Sequence, residues 1–267
     1  MPVTGTTEVV VIIGTPIAQV KSPGLMNAHF AAHGLDRVMV PMDIASEGLA
    51  DLVAMARRWR NLRGICVTVP HKQALAPLLD RLSDRAARLS TTNIVRRHPD
   101  GTLEGDMLDG VGFVAAAARR GRDFAGARAA VIGAGGVASA IANSLCESGV
   151  SRLAIEDVDA AKRDRLIAAL RGAFGGIEIA PGIASLRGLD LLVNGTPVGM
   201  SGDPRLPLPD ALMAELEPRC YVADVVSDPD VTPFLRAAEA RGCAIQRGIE
   251  MTETQMEALM RFLGVME

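Results

Sequence analysis

Apolar and polar residues alternate along the first hundred positions in a way that predicts helices and strands in turn. Ser22 can cap a helix whose first position is Pro23. The stretch Val38 to Met42 then has strand composition, an amphipathic helix is predicted over 49–59, and the β-rich run Ile65 to Val69 follows it. This alternation predicts an α/β domain with a mostly parallel sheet.

The pattern changes near residue 100. Two β-rich runs, Asn93 to Arg96 and Thr102 to Asp106, flank Pro99-Asp100-Gly101, which is strong turn chemistry. We therefore expect a hairpin at the edge of the first sheet. A helix is predicted to run from Asp109 to Arg119.

The rest of the chain alternates strand-like runs with helical patterns, which predicts a doubly wound sheet of the Rossmann type. The strand-like runs are Ala129 to Ile132, Leu153 to Ile155, Ile177 to Ile179, Leu191 to Val193 and Tyr221 to Val225. We therefore predict two domains, 1–108 and 109–247. No strand follows the last helix, Glu253 to Phe262, and we expect residues 248–267 to pack back on the first domain.

A glycine-rich turn follows the first strand of the second domain. It reads Gly133-Ala134-Gly135-Gly136-Val137-Ala138, fits G-x-G-x-x-G/A, and leads into an apolar helix. In this motif the first glycine allows the tight turn, the second lets the backbone approach a pyrophosphate, and the small last residue allows close helix–strand packing. The sequence therefore predicts dinucleotide binding, with a plain strand–glycine–helix turn as the weaker alternative.

The next strand ends in acidic residues, Glu156 and Asp157, about 20 residues on, as this fingerprint requires. A carboxylate there accepts hydrogen bonds from the adenine-ribose hydroxyls and repels a 2′-phosphate. Lys162 and Arg163 fall inside the following predicted helix, where solvated basic residues are expected, and no arginine adjoins Asp157. We therefore predict NAD as the preferred cofactor, with NADP possible.

Composition narrows the class of protein. The net charge is −3 and 22% of residues are charged, which is typical of a globular enzyme and does not favour nucleic acid as a partner. The run Val9 to Ile13 is too short to cross a bilayer, and no basic-then-apolar leader is seen, so we expect a cytoplasmic protein that does not bind membranes. The four cysteines are widely spaced, as reduced thiols would be. His29 and His33 lack a carboxylate-rich partner segment, so we expect no metal site.

Five further blocks of the sequence have specific residue patterns. The blocks are Gly14-Thr15-Pro16-Ile17-Ala18 through Lys21-Ser22-Pro23; Val67-Thr68-Val69-Pro70-His71-Lys72; Gly105-Asp106 with Asp109-Gly110 and Gly112-Phe113; Asn194-Gly195-Thr196-Pro197 through Gly199-Met200; and Asp224-Val225-Val226 with Thr232-Pro233, then Gly248 through Gln255. In order and spacing these blocks resemble shikimate dehydrogenases, over essentially the whole chain. The block that ends in Lys72 is the most specific to that family.

The resemblance implies that Lys72 and Asp109 form the catalytic pair. Oxidising a secondary alcohol requires a group that takes the hydroxyl proton while hydride leaves for the nicotinamide, and a lysine oriented by a carboxylate suits that role. The resemblance further implies substrate hydroxyl contacts from Thr68, Asn93 and Gln255, with Ser22 near the substrate carboxylate. The cofactor contacts that it implies beyond the glycine-rich turn are Asn194, Thr196, Pro197, Met200, Val225 and Gly248.

The chain departs from the family pattern at Val20, at Met107 and Leu108, and at Ser227, which stand where polar or phenolic groups are usual. We therefore expect a dehydrogenase, monomeric or homodimeric, that interconverts shikimate, quinate or a close cyclic polyol acid with its keto form. Two alternatives remain: a paralogue acting on another or an amino-substituted substrate, and a non-catalytic sensor of a metabolite or dinucleotide. Retention of Lys72 and Asp109 favours the enzyme.

Overall fold

A computed structural model describes residues 2–266 and contains two six-stranded sheets. By contacts the chain divides into two compact units. One runs to Leu108 and takes up the chain again from Met256, and the other is Asp109–Gln255. Each sheet belongs to one unit, and both are covered by helices, so the fold is α/β.

The sheet of the first unit has the order β2-β1-β3-β5-β6-β4. β1 pairs in parallel with β2 and β3, and β5 pairs antiparallel with β3 and β6. The strands are β1 (Glu8–Gly14), β2 (Arg37–Asp43), β3 (Leu62–Val67), β4 (Arg81–Leu82), β5 (Ile94–Arg97) and β6 (Leu103–Asp106). The helices before residue 108 are α1 (Ser22–Ala32), α2 (Leu49–Arg58), α3 (Lys72–Leu75) and α4 (Asp84–Leu89).

The interior strand β1 is buried from Val10 to Ile13, as expected of a strand covered on both faces. α2 presents a buried stripe of Leu49, Leu52, Val53 and Ala56 to this sheet. At the sheet margin, the Asn27 side chain of α1 donates to the Met39 carbonyl (3.0 Å) and accepts from the Met39 N–H (2.7 Å). Asn27 therefore satisfies backbone groups of an edge strand that would otherwise pair with another chain.

Three local expectations for this unit are wrong. The hairpin is β5–β6, but it is not at the sheet edge, because the two-residue strand β4 pairs with β6 on its outer side. Ser22 is the first residue of α1 rather than its cap; the N-cap is Lys21, with no side-chain cap bond. β3 ends at Val67, so Thr68 and Val69 lie in the loop that follows it.

The second unit has the sheet order β12-β11-β10-β7-β8-β9, and every pairing is parallel. This is the strand order of a Rossmann sheet, the type of sheet that the sequence predicts. The strands are β7 (Arg128–Ile132), β8 (Arg152–Glu156), β9 (Glu178–Pro181), β10 (Leu191–Asn194), β11 (Tyr221–Asp224) and β12 (Ile245–Gln246). The helices are α5 (Asp109–Arg119), α6 (Gly136–Glu147), α7 (Ala160–Ala173), α8 (Asp210–Met213), α9 (Pro233–Glu239) and α10 (Gly248–Phe262).

α10 begins in the second unit and ends in the first. We expected the whole of 248–267 with the first domain, whereas the residues up to Gln255 group with the second unit. Beyond Met256 the chain is fixed to the first sheet: Arg37 donates to the Val265 carbonyl (3.3 Å) and Arg63 to the Gly264 carbonyl (3.2 Å). A side chain at Gly64 would lie 2.3 Å from Leu263, so this approach requires glycine.

Candidate active site

Lys72 is the first residue of α3, in the loop region at the carboxyl end of β3, and is half-buried. Its carbonyl accepts the Thr92 N–H at 2.9 Å, and the Thr92 hydroxyl donates to the carbonyls of Ile94 and Asp106. The backbone of Lys72 is therefore tied to β5 and β6. Open α/β sheets place their ligands at carboxyl ends of strands, which is where the sequence placed this lysine.

Thr68 and Asn93 lie beside this lysine segment. The carbonyl of Asn93 accepts the Val67 N–H at 2.8 Å, and Thr68 is the next residue along. Asn93 is 5% exposed, and its side-chain oxygen accepts the Leu108 N–H at 2.8 Å. The structure thus brings Thr68, Lys72 and Asn93 together at one end of the sheet. Ser22 lies after β1 at the same end, as the first residue of α1.

His71, which the sequence analysis did not single out, fixes the segment that carries Lys72. It is fully buried, and its Nε2 lies 2.7 Å from the Ile44 carbonyl, so Nε2 carries the proton. Its backbone N–H donates to the Thr68 carbonyl at 3.0 Å. His71 therefore joins the loop after β3 to the residue that follows β2. Its place beside Lys72 was the only signal in the sequence.

In the second unit, the structure joins two predicted site residues that are far apart in the sequence. Gln255 Nε2 donates to Asp109 Oδ1 at 2.6 Å, and both side chains are buried. The two helices approach closely at Gly112, where a Cβ atom would lie 2.6 Å from the Gln255 Cβ. The Thr254 hydroxyl donates to the Gly112 carbonyl at 2.7 Å. Gly112 and Thr254 thus set the distance between α5 and α10 that lets Gln255 reach Asp109.

The glycine-rich turn from 133 to 138 has the form expected for phosphate binding. Gly133 has φ +109°, which favours glycine, and it follows directly on β7. Gly135 is the N-cap of α6 without a side-chain cap, and a Cβ atom added there would meet no atom within 4 Å. An uncapped helix N-terminus with open space over its glycine fits a dinucleotide pyrophosphate. Ala138 is fully buried, and its Cβ would lie 2.6 Å from one added to Gly195.

Asp157 shapes this turn. Its Oδ2 accepts the Ala134 N–H at 2.6 Å and its Oδ1 accepts the Asp159 N–H at 2.7 Å. The carboxylate therefore lies where the sequence placed it, at the end of β8 and against the glycine-rich turn. Val158 is fully exposed next to it.

Of the two basic residues near the start of α7, Lys162 is exposed as expected and Arg163 is not. Arg163 is not simply solvated: its guanidinium lies 3.8 Å from Glu156 and 2.9 Å from Asp164, and these acidic neighbours raise the pKa of Arg163. Lys162 pairs with Asp159 at 3.7 Å. Both cations near the strand end are thus engaged by carboxylates. The helical register brings Arg163 back toward Glu156, which its sequence position alone did not show.

The loops after β10 and β11 carry most of the remaining predicted cofactor residues. Asn194 Oδ1 accepts from the backbone N–H (3.1 Å) and the hydroxyl (2.7 Å) of Thr196. A Cβ atom at Gly248 would lie 2.6 Å from the Val225 carbonyl oxygen, so Gly248 packs directly against that backbone. Pro197 and Met200 are exposed, and the Met200 N–H donates to the Pro197 carbonyl at 3.1 Å.

The four departures from the family pattern occupy different environments. Met107 is 1% exposed and Leu108 is 4% exposed, so these two are core residues, and their N–H groups donate to the side-chain oxygens of Asp106 and Asn93. Val20 and Ser227 are half-buried in loops. The changes at 107 and 108 therefore remove polar side chains from a buried position, whereas those at 20 and 227 lie in loops.

The other candidates examined in the sequence form no site. His29 and His33 stack with ring centroids 4.0 Å apart, and burial and the neighbouring histidine lower the pKa of His29. Across residues 2–266, no three His, Cys, Asp or Glu side chains group as metal ligands, and no helix there has the length and apolar character of a membrane span. All four cysteines are buried and none forms a disulfide, and burial raises the pKa of the Cys66 thiol to about 12.

Comparison with known proteins agrees with this geometry. Residues 12–95 match the family model of the shikimate dehydrogenase substrate binding domain. A shikimate dehydrogenase (NADP(+)) of Rubrobacter xylanophilus is 41% identical over 98% of this chain and 92% of its own length. One from Geobacter metallireducens is 38% identical over 100% of this chain and 94% of its own length. The chain belongs to the shikimate dehydrogenase family. The family resemblance predicted from the sequence blocks is thereby confirmed, and with it the dehydrogenase class of enzyme.

Solved structures of shikimate dehydrogenase relatives share the complete fold. Shikimate 5-dehydrogenase from Listeria monocytogenes, in complex with shikimate and NAD, has a TM-score of 0.92 and 29% identity, covering 100% of this chain and 95% of its own. Quinate dehydrogenase from Corynebacterium glutamicum, in complex with NAD, has a TM-score of 0.86 and 28% identity over 96% and 93%. The ligand-free 5-ketofructose reductase of Gluconobacter has a TM-score of 0.88 and 30% identity over 96% and 92%. The predicted pairing of an α/β substrate domain with a Rossmann domain is confirmed.

Proposed function

We propose that this protein is an NAD-preferring dehydrogenase that interconverts shikimate, quinate or a close cyclic polyol acid with its keto form. Lys72 takes up and returns the hydroxyl proton, and Asp109 is its carboxylate partner. Thr68, Asn93 and Gln255 bind substrate hydroxyls, and Ser22 serves the substrate carboxylate.

The hydrogen bond between Gln255 and Asp109 supports this proposal most strongly. These residues are 146 positions apart and lie on different helices, and the family resemblance assigned both to the same reaction. The 2.6 Å bond uses one acceptor position of the Asp109 carboxylate and fixes its orientation. A buried carboxylate held in this way suits the orientation of a lysine amine better than it suits a purely structural role.

The chain's own residues provide proton transfer and binding, and the bound nicotinamide supplies the hydride acceptor. Lys72 Nζ accepts the proton of the substrate hydroxyl during oxidation and donates it during reduction. Thr68 lies on the same segment as Lys72 and Asn93 lies beside that segment, just before β5, so their side chains select hydroxyls next to the reacting carbon. A site built to bind such hydroxyls discriminates strongly against compounds that lack them.

The preference for NAD rests on the end of β8. Asp157 places a negative charge against the glycine-rich turn, and the nearby cations Lys162 and Arg163 are engaged by Asp159, Glu156 and Asp164. A 2′-phosphate needs a cationic partner, and the residue next to Asp157 is the exposed Val158. The relatives from Geobacter metallireducens and Rubrobacter xylanophilus are named as NADP(+) enzymes, so a preference for NAD would distinguish this protein from them.

A second candidate is the same reaction type on a different polyol. Met107 and Leu108 are buried apolar residues and Val20 is aliphatic, so hydrogen-bonding groups that the family pattern supplies are missing. A 5-ketofructose reductase shares the fold at 30% identity, which shows that relatives with another named substrate exist.

The deciding experiment is a panel of alcohols, including shikimate and quinate, assayed by absorbance of the reduced cofactor with NAD and with NADP. We expect turnover of a cyclic polyol acid and a higher kcat/KM with NAD. Turnover confined to a substrate without a ring carboxylate would replace the first candidate with the second. Binding of NAD without turnover of any alcohol would favour the sensor.

A further inference from the structure

One buried carboxylate in the second unit, Asp224, has no role in the function described so far. It is the last residue of β11, pairs in register with Asn194 at the end of β10, and is 1% exposed. Burying a charged group costs free energy because the group loses its bonds to water, so hydrogen bonds within the protein must offset that cost. Burial raises the pKa of Asp224 to about 6.

The partners of Asp224 come from both loops that leave the ends of β10 and β11. Asn194 Nδ2 and the Val226 N–H each donate to Oδ1 at 3.0 Å. The Thr232 hydroxyl donates to Oδ2 at 2.6 Å. The same hydroxyl accepts the Leu235 N–H at 3.2 Å and so caps α9. One carboxylate thus fixes the loop after β11 at both of its ends.

The network continues from Asn194 into the loop after β10. Asn194 Oδ1 accepts from the N–H and hydroxyl of Thr196, and Thr196 Oγ1 accepts the Val198 N–H at 3.2 Å. Asn194 Nδ2 also donates to the Val198 carbonyl at 3.2 Å. The orientation of the Asn194 amide is therefore set by Asp224, and the loop from 195 to 198 is set by Asn194.

The position of these loops in the sheet shows which half of a dinucleotide they serve. In the order β12-β11-β10-β7-β8-β9, successive strands are added on one side of β7 up to β9 and on its other side from β10 onward, and dinucleotides lie across such a switch point. The glycine-rich turn after β7 and the acidic end of β8 serve the pyrophosphate and adenosine. The loops after β10 and β11, on the opposite side of the switch point, face the nicotinamide half.

We propose that Asp224 is a positioning residue for the nicotinamide half of the cofactor, acting through Asn194 and Thr232 on the two loops that receive it. This inference rests on the proposed dinucleotide function and extends it to a residue that does not itself touch the cofactor. Removal of the carboxylate frees Asn194 and Thr232 together, and both loops lose their common support.

The test compares binding of NAD with binding of ADP-ribose, which carries the adenosine and pyrophosphate but no nicotinamide. In Asp224→Ala we expect NAD to bind about tenfold more weakly or worse, since small displacements of positioning groups have effects of this size or larger. ADP-ribose should bind to the variant within about twofold of its affinity for the wild type, because the turn from 133 to 138 is untouched.

Two further variants test Thr232. Thr232→Val should weaken NAD binding, whereas Thr232→Ser, which retains the hydroxyl, should bind NAD as the wild type does. Asp230→Asn is the matched control, since Asp230 is an exposed acid of the same loop paired with Arg247.

If Asp224→Ala does not fold, Asp224→Asn keeps the shape of the side chain and loses one acceptor, and it should show the same selective effect at smaller size. Unchanged NAD binding in a folded variant would overturn the proposal. Equal weakening of NAD and ADP-ribose would also overturn it, because that pattern indicates general loss of structure. A wild type that binds neither ligand would overturn the proposed function as well, whereas selective loss of NAD without any alcohol turnover would overturn only the catalytic assignment.

Discussion

In the first unit, backbone groups hold the segments that carry Lys72, Thr68 and Asn93. The Thr92 N–H donates to the Lys72 carbonyl, and the His71 side chain donates to the Ile44 carbonyl. In the second unit, carboxylates hold the loops. Among the predicted site residues and their supports, Asp157 accepts from the Ala134 N–H and Asp224 from Asn194 and Thr232, while Asp109 joins two helices through Gln255.

In the first unit the reactive side chain and the bonds that hold its segment are therefore different groups, whereas in the second unit the carboxylate side chains themselves hold the structure. A substitution of Lys72 leaves its backbone bonds in place, so chemistry can be lost without loss of structure. Substitution of an aspartate in the second unit removes the acceptor for one or more buried donors, so loop geometry and stability change together. The predictions below test this contrast.

The largest expected effect is that of Lys72→Ala. General acid–base groups contribute roughly 10²–10⁴-fold, so kcat should fall by about that factor while the melting temperature changes little. Lys162→Ala is the control, because Lys162 is an exposed lysine paired with Asp159, and it should retain activity. Turnover of the folded Lys72 variant within about threefold of wild type, far below that contribution, would remove Lys72 from the mechanism.

The next effect concerns recognition of the substrate carboxylate. One hydrogen bond to a charged group contributes about 1.5–3 kcal/mol, so the groups missing at Val20 and Ser227 can raise the KM for shikimate by about two orders of magnitude. We expect shikimate to be a mediocre substrate of the wild type, and Val20→Ser with Ser227→Tyr to lower its KM. Lys21 or water can partly substitute for the missing groups. A micromolar KM in the wild type that the double change does not improve would show that these departures have no functional effect.

The sequence predicted a Rossmann-type sheet and its glycine-rich turn because both leave short-range patterns. Buried parallel strands are continuous apolar runs, and the turn from 133 to 138 has fixed glycine spacing. The order of the first sheet was harder, because β4 is only Arg81–Leu82 and leaves no periodic signal. Because β4 pairs with β6, the β5–β6 hairpin does not lie at the edge of the sheet.

Buried polar contacts were beyond the sequence for a different reason. Asn194 bonds to Asp224, 30 positions away, and the Asn27 side chain of α1 bonds to the Met39 backbone of the edge strand β2. Such pairs depend on strand register and helix placement, which no local pattern encodes. The family resemblance supplied the roles of Gln255 and Asp109, but their hydrogen bond required the structure.

Stability should depend on pH through Asp224. Its folded-state pKa of about 6 lies above its ordinary value of 3.8. Below pH about 4 both states hold the proton; between about 4 and 6 only the folded state holds it, so the free energy of unfolding falls as pH rises and levels off above 6. The shift corresponds to at most about 3 kcal/mol. Urea unfolding of the wild type and Asp224→Asn checks this, because their difference in free energy should decline across that window. A difference that stays constant from pH 4 to pH 7 would contradict the assignment.

The contact between α5 and α10 can be weakened without removing any functional group. In Gly112→Ala the new Cβ lies 2.6 Å from the Gln255 Cβ and 2.9 Å from the Met251 carbonyl oxygen. Overpacking of this kind costs about 1–3 kcal/mol, and displacement of Gln255 from Asp109 should also lower kcat. Gly172→Ala is the matched control, since a Cβ there meets no atom within 4 Å and α7 should gain up to about 1 kcal/mol. Equal stability and kcat in the two variants would show that α5 and α10 adjust freely.

The smallest expected effect is on cofactor choice. Asp157→Ala removes a ribose acceptor and a charge that repels a 2′-phosphate, so NAD should lose kcat/KM while NADP gains it, and their ratio should narrow by about tenfold. The lost Ala134 N–H acceptor adds to the NAD loss, since the glycine-rich turn is then less fixed. ADP-ribose and its 2′-phosphate measured as inhibitors separate the two causes: a looser turn weakens both, whereas the charge effect weakens the first and strengthens the second. Glu178→Ala, an exposed acid at the amino end of β9 paired with Arg152, should leave the ratio unchanged. A wild type that already uses NADP more efficiently than NAD would show that Asp157 shapes the turn and does not select the cofactor.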